Sequence, residues 1–517
     1  MDETQPLLPE VTTDQQPKHH DKNVVDFDPD GDSENPQDWP QTYKWGIVAL
    51  LAFMAFTVTF TCISVVPVAN RIVSDLSGDG HSSKSASVLL VTIWELGEAG
   101  GPLLIAPLSE LFGRYPVMNA ANIGFISATI LAALCQSTPL FIAARALTGL
   151  AVASNVLNPA IVGDMFISEQ RGSAMSAIML APLIGGAIGP AISGAIAQSL
   201  GWRQVVWMSV ILASVCEVLF LTCFRETYKV PILRRRAAKL RQETGNMSLR
   251  TAFDIDIDVG HDDGDGDDDD AAKTTKRKTS QPKTQFWESI MRPIVVFADS
   301  IVLQALALYG SMTFSYFYMM STTLPDILQD IYHLSPAQTG SSFIVFSIGS
   351  AISVVLCNLL LDRIYIRLRD SHGPPGSEGE GQPEHRLPLV IVGAFTMPFV
   401  VACYGWIPAL HLPLPLLLVC VGLLGTTLLL GFLPLFTYVV DAFQLYSASA
   451  VTAVIVMRCL IATFLPLVSE PLVRTLGWGW GFTVLAGVSL CCAPIPVFVF
   501  RYGSRWRQRS IYTRRQD

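Results

Sequence analysis

The chain has 517 residues, of which half are hydrophobic and only 15% are charged, whereas a soluble domain carries about 25% charged residues. This composition excludes an ordinary soluble protein and predicts an all-α membrane protein whose main partner is the lipid bilayer. The net charge of -8 comes from one run, 254–270, which contains ten aspartates. We expect no nucleic-acid partner.

The first 45 residues (1–45) are polar and contain no short apolar core followed by a cleavage site, so we expect a disordered cytoplasmic tail without a secretory signal. Glu3-Thr-Gln-Pro-Leu7-Leu8 fits an acidic dileucine signal, which would direct the protein to the vacuolar membrane. So short a pattern arises easily by chance in a polar tail. We therefore predict a multi-pass protein of the plasma membrane and keep the vacuolar membrane as the alternative.

Twelve apolar stretches of about 20 residues follow, which is the length that crosses a hydrocarbon core of about 30 Å. They form two sets of six, and we predict two pseudo-symmetric six-helix bundles at 46–224 and 294–500. The predicted spans, numbered one to twelve, are 46–68, 87–108, 117–136, 138–163, 173–198, 205–224, 294–321, 338–361, 387–407, 413–437, 447–469 and 479–500.

The basic residues predict the orientation of these spans. With both termini in the cytosol, the outside loops hold four of the 35 Lys and Arg and the inside segments hold 29, six of them in the tail 501–517. Cytoplasmic loops of membrane proteins carry such an excess of positive charge. Only Arg145 and Arg458 then lie within spans.

The segment 225–293 between the two bundles is predicted to be a cytoplasmic linker. It begins with a basic amphipathic stretch that could lie along the inner membrane surface, held by anionic lipid. The aspartate run that follows is predicted to be disordered. A calcium site in this run is an alternative that we disfavour, because the run lacks the ordered loop spacing of such a site.

Ionisable side chains at membrane depth are costly and mark function. In span two, Glu95 and Glu98 are three residues apart and share one helix face. Two carboxylates so close in a poor dielectric should not both ionise easily, so one should hold a proton, as a proton-coupled carrier requires. The other buried charges are Arg145, Glu217, Asp299 and Arg458.

Arg145 and Glu95 lie at similar depths in spans four and two, so they can pair. Protonation of the acid would then release the arginine and bias the carrier between its two facings; a static salt bridge is the alternative. Glu217 and Asp299 are near the cytoplasmic helix ends and are expected to be structural. Arg458 has no obvious acidic partner in the second half, so it either binds an anionic substrate in the central cavity or donates to backbone carbonyls.

Span seven is rich in aromatic residues, which are candidates to line an apolar substrate cavity together with Arg458. Part of this set could instead face lipid or neighbouring helices. The candidates are Tyr309, Phe314, Tyr316 and Tyr318.

Several motifs, spread over about residues 34–500, resemble those of the fungal twelve-helix drug:proton antiporters of the major facilitator superfamily. Asn35-Pro36-Gln-Asp-Trp39 is similar to the entry motif of that group, and the stretch 101–117 is similar to the superfamily's signature loop. Tyr115 stands where the family usually has a second basic residue. The gating residues that this resemblance implies are Ser109, Glu110, Gly113 and Arg114.

Two further motifs strengthen the resemblance. Arg145-Ala-Leu-Thr-Gly149 resembles the motif of span four, whose arginine is implied to take part in proton coupling. Span five resembles the antiporter motif in altered order, and small residues at this spacing let helix backbones approach closely. The residues of this motif are Pro182, Gly185, Gly186, Gly189, Pro190 and Gly194.

The resemblance implies proton-coupled efflux of small amphipathic organic compounds such as drugs, toxins or secondary metabolites, by a monomer that needs no cofactor or metal. A proton-coupled importer on the same fold is the alternative. A membrane-embedded enzyme is disfavoured, because none of the eight histidines falls within a predicted span and no nucleophile lies beside a base at membrane depth. The ten cysteines lie in or beside apolar stretches and suggest no disulfide framework.

Overall fold

A computed structural model describes residues 24–28, 31–77, 84–246, 248–251, 282–372, 382–443 and 446–513. The dileucine pattern, the aspartate run and the calcium site considered there lie outside these residues. The chain divides into two compact units. One consists of residues 1–38 and 229–279, and the other of residues 39–228 and 280–517.

The smaller unit joins the amino-terminal tail to the linker. Strand Val24–Val25 pairs in parallel with strand Arg250–Thr251, and Arg236 of the helix Lys229–Thr244 forms a salt bridge with Asp32. Burial acts to raise the pKa of Asp32, but hydrogen bonds from backbone amides and from Arg236 hold it below its usual value of 3.8. The described part of the tail is thus docked on the linker.

The larger unit contains the spans. Proline and glycine interrupt several of them, which membrane helices tolerate because neighbouring helices satisfy the freed backbone groups. In the first half the spans are the helices Gln41–Ile63, Lys84–Phe112, Arg114–Leu134, Thr138–Leu150 continued by Ser154–Met165, Ser168–Ser199 and Trp202–Cys223. A short helix, Ala69–Ser77, follows span one.

The second half begins with the helix Pro282–Asp299, which bends by 102° into span seven. The predicted start of span seven at 294 is therefore wrong, because Ser300 leaves the helical conformation and caps a new helix at Ile301. Spans seven to eleven are Ile301–Asp326, Pro336–His372, Pro388–Ala409, Leu414–Phe443 and Ser447–Phe464. Span twelve follows Gly477 in the helix Ser469–Cys492 and continues in Pro494–Arg507.

The count of twelve spans is confirmed. Within the described residues, ten helical runs are long and apolar enough to cross a membrane, or eleven with the bent pair. One of them, Ser447–Arg507, has 61 residues, which is about 90 Å of helix and about three times the hydrocarbon thickness. It therefore crosses twice, with the break at Gly477.

The two halves repeat one local device at the start of their last span. Leu200-Gly201-Trp202 and Leu476-Gly477-Trp478 share one sequence. Both glycines have positive φ angles, 96° and 77°, a region that side chains other than glycine enter only at a cost. The repeat supports a common six-helix unit in both halves.

The hydrophobic core is divided by membrane depth. At the outer ends of the spans, by the predicted orientation, one core contains residues of both halves. At the cytoplasmic ends, each half has a main core of its own. The two halves thus share one hydrophobic core on the outer side. On the cytoplasmic side each half has its own core.

Candidate functional site

Three of the predicted charges meet at the centre of the molecule. Glu95 and Glu98 of span two are buried, with 2% and 7% of their surfaces exposed. Nη2 of Arg458, in span eleven, lies 2.8 Å from Oε1 of Glu98 and 3.7 Å from Oε2 of Glu95. This ion pair connects the first half of the chain to the second.

The sequence offered no obvious acidic partner for Arg458 in the second half, and the structure supplies its partners from the first half. The partner comes from span two, 360 positions earlier in the chain. The guanidinium also lies over the ring of Phe314, 4.3 Å from its centroid, a favourable cation–π position. In this conformation Arg458 is held by the protein's own carboxylates.

The two carboxylates differ in how fully they are bonded. Glu98 accepts hydrogen bonds from Asn155 at 2.8 Å and from the Trp94 indole at 3.2 Å. Glu95 accepts one from the hydroxyl of Tyr318 at 2.7 Å. Oε2 of Glu95 is buried and lies 3.7 Å from Nη2 of Arg458, and it accepts no hydrogen bond from the described residues.

The pairing of Arg145 with Glu95 is not realised in this structure. The Arg145 guanidinium instead donates to the backbone carbonyls of Thr61 and Cys62, at 3.0 and 2.7 Å. Both carbonyls lie in the last turn of span one, where the helix leaves its final carbonyls without helical partners. The ring of Trp94 lies beneath the guanidinium at 4.6 Å and its indole nitrogen donates to Glu98, so one tryptophan contacts both Arg145 and Glu98.

The carboxylates are positioned by a close crossing of spans two and four. A Cβ atom at Gly149 would lie 2.1 Å from the carbonyl oxygen of Trp94, and one at Gly97 would lie 2.0 Å from that of Ala146. Only glycine allows backbones to approach so closely. The arginine motif of span four therefore ends in the residue that brings span four against the carboxylate-bearing turn.

Two of the four aromatic candidates of span seven do not line a cavity between the halves. The hydroxyl of Tyr309 donates to the carbonyl of Val390 and that of Tyr316 to the carbonyl of Leu485, both within the second half. Their prediction as cavity residues is wrong, because the helix is rotated so that these positions face spans nine and twelve. Phe314 and Tyr318 lie beside the central charges.

A cation site can be drawn at the centre. One ligand atom each from Glu95, Glu98 and Cys459 lies within 4.8 Å of the others. Nη2 of Arg458 is 3.5 Å from Sγ of Cys459 as well as 2.8 Å from Glu98. The place between these ligands is thus taken by a cation that belongs to the protein.

The antiporter-type motif of span five packs against both halves. Gly185 lies against the backbone of Phe56 in span one, where a Cβ would be 2.9 Å from its carbonyl oxygen. Gly194 meets the backbone of Pro336 and Pro190 that of Gly340, both in span eight. In the same helix, Pro182 lies about one turn before Gly185, and Gly186 and Gly189 lie between Gly185 and Pro190. The contacts with span eight join the two halves toward the outer side.

The predicted gating loop forms a compact cluster at the cytoplasmic end of the first half. Arg114 bonds to the hydroxyl of Ser109 and lies 3.4 Å from Asp164 at the end of span four. Gly113, with a φ of 101°, leaves room for the Glu226 carboxylate, which accepts from the Arg114 amide at 2.8 Å. Sequence reasoning missed Asp164, although an acid at a cytoplasmic helix end is the natural partner of a loop arginine.

Two further residues complete the description of this loop. Glu110 is exposed. Tyr115, in place of a second basic residue, stacks on Phe224 with ring centroids 6.1 Å apart. The loop is therefore held by the Arg114 side chain, by the Glu226 carboxylate and by one aromatic contact.

The second half carries an equivalent cluster that sequence reasoning did not identify. Arg386, before span nine, lies 2.6 Å from Asp362 and 3.1 Å from Asp441 at the end of span ten. Glu384 accepts both bonds of a bidentate pair from Arg507, at 2.8 and 2.9 Å. Arg114 with Asp164 and Arg386 with Asp441 occupy matching places in the two halves, and each pair stays within its own half.

The two acids expected to be structural are bonded locally. Glu217 accepts from the Asn122 amide at 2.7 Å. Asp299 accepts from the Ser510 hydroxyl at 2.6 Å and from the Ile511 amide at 3.0 Å. Neither approaches the central charges through a described contact.

A polar cavity of about 770 Å³ opens between the halves on the outer side. Asp326 of the second half connects the two halves across this cavity, because it accepts a hydrogen bond from Asn70 at 2.6 Å and pairs with Lys84 at 3.7 Å. Its lining includes Val91 and Thr322, which are each four residues, about one helical turn or 5.4 Å, from Glu95 and Tyr318 respectively. The cavity therefore reaches to one turn above the Glu95–Tyr318 hydrogen bond.

Comparison with known proteins is consistent along the whole chain. Residues 46–464 match the sequence profile of the Major Facilitator Superfamily. The chain is 32% identical to the efflux pump radE of Floropilus chiversii, over 98% of this chain and 89% of that protein. It is also 32% identical to the MFS-type transporter penM of Penicillium rubens, over 95% of this chain and 90% of that protein.

Solved structures share the fold at low sequence identity. A D-xylose-proton symporter superposes with a TM-score of 0.60 at 14% identity, covering 88% of this chain and 97% of that one. The human organic anion transporter MFSD10 superposes with a TM-score of 0.57 at 16% identity, covering 89% of this chain and 100% of that one. These likenesses establish the arrangement of helices only.

Proposed function

The chain belongs to the major facilitator superfamily and is a multi-pass membrane protein, and from this premise we propose that it exports small amphipathic organic compounds in exchange for protons. The proposed substrates include drugs, toxins and secondary metabolites. The outward direction is supported by the name of the relative radE, an efflux pump that aligns along nearly the whole chain.

One observation is the main support for proton coupling. Glu95 and Glu98 are buried on one half of the molecule, and the cation that neutralises them, Arg458, belongs to the other half. Rocking of the halves therefore changes the charge that the carboxylates meet. When span eleven withdraws Arg458, two buried carboxylates remain without a cation, and a proton is the simplest replacement.

The outer cavity supports a proton route from outside. It ends one helical turn above Glu95 and Tyr318, so Glu95 is the first of the two carboxylates that a proton from the outer side would reach once the halves separate. Return of Arg458 to the carboxylates would then expel the proton. Arg145 fixes the end of span one beside this route through its two carbonyl contacts.

The transport cycle so described needs no cofactor and no covalent change in the substrate, and it can be carried out by a monomer. The proton gradient across the membrane is the energy source. We place the protein in the plasma membrane, where the gradient and the direction of export agree.

The test is transport into inside-out vesicles whose lumen is acidic, with a fluorescent amphipathic dye as the probe. Accumulation of dye with simultaneous alkalinisation of the lumen, both abolished by a protonophore, is the expected result. Glu98→Gln removes the titrating group and should abolish gradient-driven accumulation. Glu243→Gln, the same change on the exposed linker helix, should transport as the unaltered protein does.

The same vesicles discriminate between the directions. An importer that carries substrate together with protons would move the dye out of the acidic lumen. Proton-independent accumulation, or full activity of Glu98→Gln, would overturn the proposed coupling.

A further inference from the structure

An aromatic ladder runs through the second half and ends at the central charges. Its rungs come from three helices that are far apart in sequence, spans seven, eight and ten. The members, from the cytoplasmic side outward, are Phe436, Phe432, Phe314, Phe317, Tyr318 and Phe346.

The rungs are in continuous contact. Ring centroids are 4.8 Å apart from Phe436 to Phe432, 5.4 Å from Phe432 to Phe314 and 6.0 Å from Phe314 to Phe317. A last step of 5.1 Å reaches Phe346. These separations are those of offset-stacked and edge-to-face pairs, so one aromatic surface extends from the cytoplasmic third of span ten to the outer third of span eight.

The ladder faces the interface between the halves. Tyr318 donates to Glu95, and Phe314 lies under Arg458. Phe314, Phe317, Phe346 and Phe436 are only half-buried. Tyr309 and Tyr316, on the other face of span seven, are 3% and 2% exposed. That face is therefore packed against neighbouring helices, whereas the four half-buried rings of the ladder keep part of their surface exposed.

The outer part of the ladder meets an open polar atom. Oε2 of Glu95 is buried and accepts no hydrogen bond from the described residues, and Nη2 of Arg458 stands 3.7 Å from it, beyond hydrogen-bond range. The other carboxylate oxygen of Glu95 already accepts from Tyr318. A buried acceptor without a hydrogen bond is costly, and a hydroxyl or amine hydrogen from a ligand would supply that bond. Phe314 contacts Tyr318 with ring centroids 5.9 Å apart, so the ladder reaches the residue that donates to Glu95.

From this arrangement we infer the substrate class, an inference that rests on the proposed export function. The site takes planar aromatic compounds that carry a hydrogen-bond donor on the ring system, such as phenols and aryl amines. The rings stack along the ladder from the cytoplasmic end, and the donor bonds to Glu95. Aliphatic amphiphiles of equal hydrophobicity lack a ring that could stack on the ladder.

Binding to the purified protein, measured by fluorescence without a proton gradient, tests this inference. The probes are a hydroxyanthraquinone and its O-methyl ether, which share the ring system and differ in the donor. The hydroxyl form should bind about tenfold more tightly, because a hydrogen bond to a charged acceptor is involved. Equal affinity of the two probes would overturn the assignment of Glu95 as the acceptor.

The ladder itself is tested by Phe432→Leu and Phe436→Leu, which keep an apolar side chain and remove the ring. Each should weaken binding of the hydroxyanthraquinone by about 2- to 10-fold. The control Phe498→Leu makes the same change on an exposed position of span twelve and should bind normally. If both ladder variants keep full affinity, the aromatic surface is not the binding site.

The two proposals can fail separately. Because binding is measured without a gradient, loss of proton coupling leaves this assay unchanged. If the unaltered protein transports the dye and the ladder variants bind and export it normally, the inferred substrate class is wrong and the proposed export function still stands.

Discussion

Gly149→Ala is the substitution whose effect the structure specifies most directly. The added Cβ would lie 2.1 Å from the carbonyl oxygen of Trp94 and 3.2 Å from the amide nitrogen of Glu98. Contacts of a Cβ below 3.0 Å essentially do not occur, so spans two and four must separate by at least 3.0 − 2.1 = 0.9 Å. The obstacle is backbone, which cannot rotate away as a side chain can.

The displaced turn of span two carries both carboxylates. A shift of about 1 Å away from span four would stretch the 2.8 Å bond from Asn155 to Glu98 beyond hydrogen-bond range and would displace Glu95 relative to Tyr318. Overpacking of this kind costs about 1–3 kcal/mol. We therefore expect a lower unfolding temperature and a loss of gradient-driven transport in the same variant.

Thermal unfolding in detergent, followed by tryptophan fluorescence, provides the measurement. The control is Gly163→Ala, also in span four, where an added Cβ meets nothing within 4 Å; it should unfold at or slightly above the temperature of the unaltered protein, because alanine favours the helix. If Gly149→Ala unfolded and transported like Gly163→Ala, the close crossing would play no part in positioning the carboxylates.

Three further predictions follow from other contacts. Arg458→Gln leaves two buried carboxylates without a cation and should destabilise the protein by about 3–5 kcal/mol, and adding Glu98→Gln should recover part of that loss in thermal unfolding. Asp326→Asn weakens the contact across the outer cavity, so a cysteine placed at Val91 should react faster with an impermeant maleimide from outside; an unchanged rate would exclude a gating role. Because the pKa of Asp32 is lowered in the folded state, its pairing stabilises the docked tail above its usual value of 3.8 and is lost as the pH falls through the lowered pKa. Hydrogen exchange at residues 24–28, corrected for the intrinsic rate, should therefore show protection at pH 6 that disappears in Asp32→Asn.

Local sequence was sufficient for the features that depend on neighbouring residues. The twelve apolar stretches predicted the spans because a helix that crosses lipid must satisfy its own backbone and must be apolar for about 20 residues. The spacing of Glu95 and Glu98 placed both on one face of span two, since residues three apart share a helix face. Their burial in the structure agrees with that reading.

Only the tertiary structure decided which groups meet. Arg458 pairs with Glu98, 360 positions away, and Arg145 donates to carbonyls at the end of span one. Both contacts depend on how helices from distant parts of the chain pack. The rotation of span seven separated Phe314 and Tyr318, which face the charges, from Tyr309 and Tyr316, which do not. Sequence spacing could not determine that rotation because aromatic residues lie on both faces of span seven, so the pairing of charges and the aromatic ladder are properties of the packed bundle.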